Sequence, residues 1–300
     1  MMKTDLTHLP ERKRRELDNV VRILFAEFDD ALAGRNAPHR KAGRILKIIL
    51  FGSYARGDWV EDADGGYFSD FDLLVVVNHD ELADPIEYWG KADEHLTREH
   101  MVTSKLSTPV NFIVHSLTDM NRKLKKGRPF FIDIVRDGIA LYEAAEHHFD
   151  QPGKLTPAEA RAEAQKHFDK WFPSANQFFI HGQDAAARGW NNKAAFELHQ
   201  ATEQLYHCLL LVRTLYSPKS HKLNFLRSQC EQLEPRLIAA WPRDTRAAQR
   251  CFELLRSAYV NARYSEHYRI TDEELDWLCE RIAVLQKLIE AACRERLEQD

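Results

Sequence analysis

The sequence predicts two structural classes in one chain, an α+β first half and an all-α second half. Three observations carry this. Apolar runs of strand length (Ile45 to Phe51, Leu73 to Val77, Val110 to Val114) all precede residue 145. After Thr156, apolar residues recur only at helical spacing. Between the halves, residues 147–157 lack apolar periodicity and hold the turn signal Gln151-Pro152-Gly153. The expected organisation is a first domain at 1–146, a linker at 147–157 and a helical bundle at 158–300.

In the first half, Leu17, Val20, Val21, Leu24, Phe25 and Phe28 mark a helix over 11–33, ended by Asn36-Ala37-Pro38. A strand over 45–51 runs into Gly52-Ser53. The second strand ends at Val77. A helix is expected over 81–103, a third strand over 109–115 and a short helix over 119–126. Gly127-Arg128-Pro129 turns the chain into a buried helix around Phe130 to Val135, followed by a last strand over 139–142. In the second half, Thr156-Pro157-Ala158-Glu159 opens a helix with Thr as cap and Pro in its first turn. Long helices follow over 191–215, 222–232, 244–262 and 272–297. Thr271 and Glu274 form a capping box for the last.

Composition narrows the function. The 300 residues are 44% hydrophobic and 29% charged, which suits folded domains with real cores. A net charge of −4 supplies no global field for nonspecific nucleic-acid binding. No apolar run reaches the length of a membrane span, and the N-terminus has no signal-peptide core, so a cytoplasmic protein is expected. The five cysteines all lie after residue 200 without a C-x-x-C pair, which suggests neither a zinc site nor a disulfide framework.

The chemistry concentrates in residues 48–77, IILFGSYARGDWVEDADGGYFSDFDLLVVV. Side chains alternate along a strand, so Asp70 and Asp72 point the same way at the mouth of the second strand. Two adjacent carboxylates repel unless a cation lies between them. Hard oxygen donors suit Mg²⁺, which keeps several waters and shares substrate phosphates. Gly52 lets backbone approach a ligand closely, and Ser53, with the amides after it, is placed to hold a phosphate. A phosphate cradle beside a metal pair implies phosphoryl or nucleotidyl transfer, in which catalysis is mainly positioning and charge neutralisation.

Gly52-Ser53-Tyr54-Ala55-Arg56-Gly57 followed by Ser69-Asp70-Phe71-Asp72-Leu73-Leu74-Val75 resembles the minimal nucleotidyltransferases of the DNA polymerase β-like superfamily. The resemblance covers roughly residues 40–145. It implies a small mixed sheet flanked by helices, with Gly52, Ser53 and Arg56 on the nucleotide and Asp70 and Asp72 on Mg²⁺. The nucleotide would be an NTP, with ATP expected. Two departures stand out. The Ser53–Asp70 loop is longer than the family's, with the surplus in the acidic stretch Trp59 to Tyr67, read as a flap. On the third strand, Asn111 falls where active members carry a third carboxylate. Asp133 or the loop acids are the remaining candidates for that role.

Phe196-Glu197-Leu198-His199-Gln200-Ala201-Thr202-Glu203, Tyr216 to Leu223, and Ala262-Arg263-Tyr264-Ser265-Glu266-His267-Tyr268-Arg269 resemble the HEPN family of helical domains. These are often fused to minimal nucleotidyltransferases, and many are metal-independent ribonucleases that use an Arg and a His across a dimer. Here Arg263 and His267 are the catalytic candidates by that resemblance. Four residues apart, they could share a helix face. A structural alternative pairs Arg263 with Glu203 or Glu266, and has His221 order the Ser217-Pro218 loop.

Three functions follow as expectations. The first is Mg²⁺-dependent transfer of a nucleoside monophosphate to a hydroxyl of a protein tyrosine, a small molecule or RNA, in a toxin–antitoxin or defence setting. By analogy with paired systems, Tyr264 and Tyr268 are candidate acceptors. The second is a nucleotide sensor that no longer turns over, with Asn111 as its support. The third is a HEPN ribonuclease acting on RNA and restrained by the first domain. The pairing of domains further implies a homodimer through the helical one.

Overall fold

The computed structural model describes residues 2–34, 37–62 and 67–298. The described chain forms two compact units, residues 1–62 with 68–155, and residues 156–300.

The first unit is built on a four-stranded sheet in the order β5-β4-β1-β6. Its strands are β1 (Ile45–Phe51), β4 (Phe71–Val77), β5 (Val110–Ser116) and β6 (Ile139–Glu143). β1 pairs antiparallel with β4 and with β6, while β4 and β5 run parallel. The sheet is therefore small and mixed. β2 (Glu61–Asp62) and β3 (Tyr67–Phe68) form a separate two-stranded hairpin within the expected flap. Residues 63–66 of that flap lie outside the described residues.

Helices α1 (Glu11–Leu32) and α4 (Pro85–Met101) cover one face of the sheet. There Leu17, Val20, Leu24, Phe28 and Trp89 pack with Ile48, Leu50, Leu73, Val75 and Val77. The alternate residues of β4 point to the opposite face, where α5 (Leu117–Lys125) and α6 (Pro129–Asp137) meet the sheet. Two short helices, α2 (Pro38–Lys41) and α3 (Gly52–Arg56), flank β1.

The helix expected from residue 81 begins at Pro85. Asp84 accepts hydrogen bonds from the Ile86 and Glu87 amides and caps it there, with Pro85 in the first turn, leaving Asp80–Ala83 as a separate 3₁₀ turn. The helix expected over 119–126 starts two residues earlier, because the Ser116 hydroxyl caps it by accepting from the Asp119 amide.

The second unit holds α7 (Pro157–Ala187), α8 (Asn191–Thr214), α9 (Leu223–Leu233), α10 (Arg246–Tyr264) and α11 (Asp272–Glu298). Thr156 and Glu159 form a capping box at the start of α7. Thr271 and Glu274 make the same reciprocal bonds before α11. α8 runs through the middle, packed by α7, α9, α10 and α11, which explains why it is buried on nearly all sides. Gly182 permits the α7–α8 approach, since a Cβ there would lie 2.8 Å from the Leu198 side chain. No helix among the described residues is long and apolar enough to cross a membrane.

Candidate active site

The register of three strand ends assembles the site. Phe51, the last residue of β1, pairs with Asp72, and Asp72 pairs on its other side with Asn111 of β5. Neighbouring residues in register point to the same face. Asp70, two residues before Asp72, shares that face as well. The Asn111 side-chain NH₂ donates to Asp70 Oδ2 at 2.8 Å. Asp72 is fully buried, and Asp70 is 8% exposed. These carboxylates stand at the start of β4, a strand otherwise wholly apolar, where charge needs a compensating cation.

Immediately after Phe51 the chain turns at Gly52 with φ +73°, a conformation that glycine adopts without penalty. This turn places Ser53 at the start of α3, beside the beginning of β4. The Ser53 side chain is buried and its Oγ has no hydrogen-bond partner within the protein. A buried hydroxyl left that way costs about 1–3 kcal/mol, which a ligand acceptor would recover. Arg56, at the other end of α3, is half-exposed and pairs with Asp58 at 3.2 Å. It therefore lies at the surface in an ion pair, and also sits within electrostatic reach of Asp133 and Asp137.

The donor set fits a hard divalent cation. Asp70 and Asp72 supply carboxylate oxygens, and Asn111, whose NH₂ is spent on Asp70, keeps its carbonyl oxygen as a further neutral donor. Asp133 does not complete the set as a third ligand here. It ion-pairs with Arg136 at 2.8 Å, and burial raises its carboxyl above the ordinary range against the pull of that arginine. Among the described residues, no group of three His, Cys, Asp or Glu side chains is assembled as a metal cage.

Behind this site lies a polar network absent from the sequence-level expectations. Lys13 is 5% exposed, ion-pairs with Glu61 and donates to Thr108 Oγ1 at 2.6 Å. Thr108 donates to Glu16 Oε2 at 2.8 Å, and Ser107 donates to Glu16 Oε1 at 2.5 Å. The signal was present in the chain: Lys13 and Glu16 precede Leu17 and Val20 by four residues, extending the buried stripe of α1 with charge.

In the helical unit, the expected Arg–His pair does not share a helix. Arg263 sits in the last turn of α10, and His267 lies beyond Ser265, where the helix has ended. The His267 amide donates to Ser265 Oγ at 3.2 Å. Arg263 pairs with neither Glu203 nor Glu266. Its Nε donates to the Tyr259 carbonyl at 2.7 Å, and its guanidinium lies over the rings of Phe196, Tyr259 and Tyr264. The ionisable partners of Glu203 are histidines, beside a hydrogen bond from Gln200 Nε2 at 3.4 Å. His221 Nδ1 lies 3.0 Å from its carboxylate, His199 Nε2 3.5 Å and His207 Nε2 3.8 Å. His221 thus binds Glu203 and stacks flat on Tyr259, while His207 takes the Ser217 contact at 2.5 Å. Of the candidate acceptor tyrosines, Tyr264 is exposed, whereas Tyr268 is buried and donates its hydroxyl to the Leu254 carbonyl at 2.9 Å.

This nest should make the helical unit acid-labile. Burial pushes the Glu203 carboxyl up, but the histidine hydrogen bonds and charges outweigh it and leave the group below its ordinary 4.5. Burial also holds His207 below its ordinary 6.5, against the pull of Glu203. Both groups bind protons more readily in the unfolded chain. The His207 contribution is therefore intact above pH 6.5 and fades as pH falls below it, and the Glu203 contribution fades below pH 4.5. Melting followed by circular dichroism should show a midpoint that drops from pH 7 towards pH 4, and a steeper drop in Glu203→Gln, which loses the carboxylate that favours the protonated form of His207.

Comparison with known proteins agrees with this geometry. Residues 37–126 match the nucleotidyltransferase domain family, and residues 168–294 match the HEPN domain family. A Methanocaldococcus jannaschii protein assigned by name to the protein adenylyltransferases is 35% identical over 102 residues, covering 81% of that protein and 33% of this chain. The chain belongs to the nucleotidyltransferase family and carries a C-terminal HEPN domain. The family match contains Gly52, Ser53, Asp70, Asp72 and Asn111, but stops short of Lys13 and Glu16. Nucleotidyltransferases of this kind work with a divalent metal and a nucleotide substrate, and the fold and domain pairing support nucleotidyl transfer.

Proposed function

We propose that the chain transfers a nucleoside monophosphate from an NTP, with ATP as the first candidate, to a hydroxyl acceptor. The observation that carries this reading is the alignment of Ser53, Asp70, Asp72 and Asn111 at three adjacent strand ends. In this reading Asp70 and Asp72 hold Mg²⁺, which would supply charge neutralisation at the α-phosphate. Ser53 and the Gly52 backbone hold the phosphates, with the Ser53 hydroxyl taking the acceptor it lacks in the protein. Arg56 could reach phosphate only by leaving Asp58. The acceptor oxygen forms a bond to the α-phosphorus, the bond to the α–β bridging oxygen breaks, and pyrophosphate leaves. The acceptor proton passes to water, because the Asn111 amide has no basic site.

The acceptor hydroxyl belongs to a protein tyrosine, a small molecule or RNA. The name of the archaeal relative favours protein and adenylyl transfer, and exposed Tyr264 is the tyrosine to map first. Incubation with each α-labelled NTP and Mg²⁺ or Mn²⁺, read on a gel, tests the reading. Label transfer establishes it, and absence of label from all four NTPs sinks it. The toxin–antitoxin setting and the homodimer belong to the same reading, and sedimentation velocity checks the dimer.

Asn111 favours a second reading, a nucleotide sensor. Asn111→Asp separates the two. If turnover is limited only by the missing base, this variant should raise label transfer about a hundredfold near pH 7, the lower end of the usual span of general-base catalysis. Nucleotide binding by calorimetry with no transfer in either form would favour the sensor. Arg263 and His267 support RNA cleavage less well than the resemblance implies, since His267 lies outside α10.

A further inference from the structure

The charged network behind the sheet points to a function for a residue outside the family match. The carboxylates Asp70 and Asp72 face one side of β4, and Phe71 between them faces the other. On that other side lies the Lys13 ammonium, 6.0 Å from the centre of the Phe71 ring and 5.5 Å from that of Tyr54. Its polar partners are Glu61 and Thr108.

Each neighbour of Lys13 is coupled to a site residue. Tyr54 follows Ser53 directly, and its hydroxyl reaches Glu61 at 3.4 Å. Phe71 separates the two carboxylates, and its amide donates to the Pro109 carbonyl at 2.8 Å, in the segment that leads from Thr108 to Asn111. Glu61 follows Val60, whose amide donates to Ser69 Oγ at 2.9 Å and whose carbonyl accepts from the Ser69 amide at 2.8 Å, one residue before Asp70. A single buried cation therefore touches the segments that carry Ser53, Asp70, Asp72 and Asn111. Glu16, reached through Thr108, balances it from α1. Removing the ammonium would leave the buried Glu16 and the half-exposed Glu61 with no lysine between them, and the three strand ends would lose their common partner.

We propose that Lys13, acting with Glu61, is a positioning residue that holds the strand ends in metal-binding and phosphate-binding geometry from the back of the sheet. This rests on the nucleotidyl-transfer reading for its chemistry, but not for its test. Lys13 lies on the opposite face from the carboxylates, so it touches neither metal nor nucleotide. It acts as the outer support of a metal site does, where loss of a supporting partner typically costs 10–100-fold in affinity or activity.

Mn²⁺ binding to the full chain, followed by electron paramagnetic resonance, reads this without turnover. Lys13→Met keeps the length of the side chain and removes the charge. Glu61→Gln breaks the same ion pair from its half-exposed end and keeps the core intact if Lys13→Met fails to fold. Each should weaken Mn²⁺ binding roughly tenfold, with label transfer falling in step, and Lys13→Arg, which keeps the charge, should bind Mn²⁺ more tightly than Lys13→Met. Unchanged Mn²⁺ affinity in folded Glu61→Gln overturns the inference, as does Lys13→Arg binding no better than Lys13→Met. If the wild-type chain transfers no label but the variants still lose Mn²⁺ affinity, the transfer reading fails and the role of Lys13 stands.

Discussion

Asp72→Asn should reduce label transfer by on the order of 10²–10³-fold, the loss expected when a preorganised charge at the reacting phosphate is removed. The same variant should melt at the same temperature as the wild type or higher. Asp72 is fully buried at the end of β4, and its neighbour Asp70 is 8% exposed on the same face. Turning one carboxylate into an amide of the same shape removes like-charge repulsion between them. Activity and stability therefore move in opposite directions, which separates a functional acid from one that merely supports the fold. The measurement pairs a transfer assay with thermal melting. A variant that loses activity and stability together would assign Asp72 a structural role.

Gly138→Ala should destabilise the first unit by about 3 kcal/mol, the upper part of the range for overpacking a tight interior. Gly138 lies between α6 and β6. A Cβ built there would collide with the Ile134 carbonyl oxygen and would lie 2.7 Å from the Ile49 side chain and 3.3 Å from the Leu50 carbonyl. Two of these neighbours are backbone atoms and cannot swing aside. The strain falls on the β1–β6 pairing, where Leu50 is in register with Ile139. Hydrogen exchange in urea should show faster opening of β1 and β6, with the helical unit unaffected. Equal protection in wild type and variant would show that α6 can retreat without cost.

Much of the fold could be read from the chain because its signals are local. Apolar runs ending in Gly52-Ser53 and beginning after Ser69-Asp70 marked β1 and β4. The Thr156 cap with Pro157 after it, and the Thr271 capping box, fixed two helix starts to the residue. The gathering of Gly52, Ser53, Asp70 and Asp72 was legible because register follows from strand ends that turn into functional loops. Asn111 could also be placed on the third strand by its position in an apolar run. Other features were not legible because they depend on which elements meet. Lys13 and Glu61 are distant in sequence, and nothing local pairs a lysine in α1 with a glutamate in a hairpin. The partner of Glu203 was misassigned for the same reason. Arginine is the usual partner of a buried acid, but His199 and His207 lie on its own helix one turn away on either side, and His221 is brought in by the α8–α9 connection. The spacing of Arg263 and His267 allowed a shared helix face, but α10 ends at Tyr264, before His267.

The sheet order also has a consequence for synthesis. β1 and β4 can pair as soon as residue 77 has been made, but Asn111 reaches Asp70 only when β5 adds to the far side of β4, and β1 gains its second neighbour only with β6. A nascent chain on the ribosome thus carries both carboxylates well before it can hold them in place. Its candidate site can close only after β5, ending at Ser116, has cleared the exit tunnel, before most of the helical half has been translated.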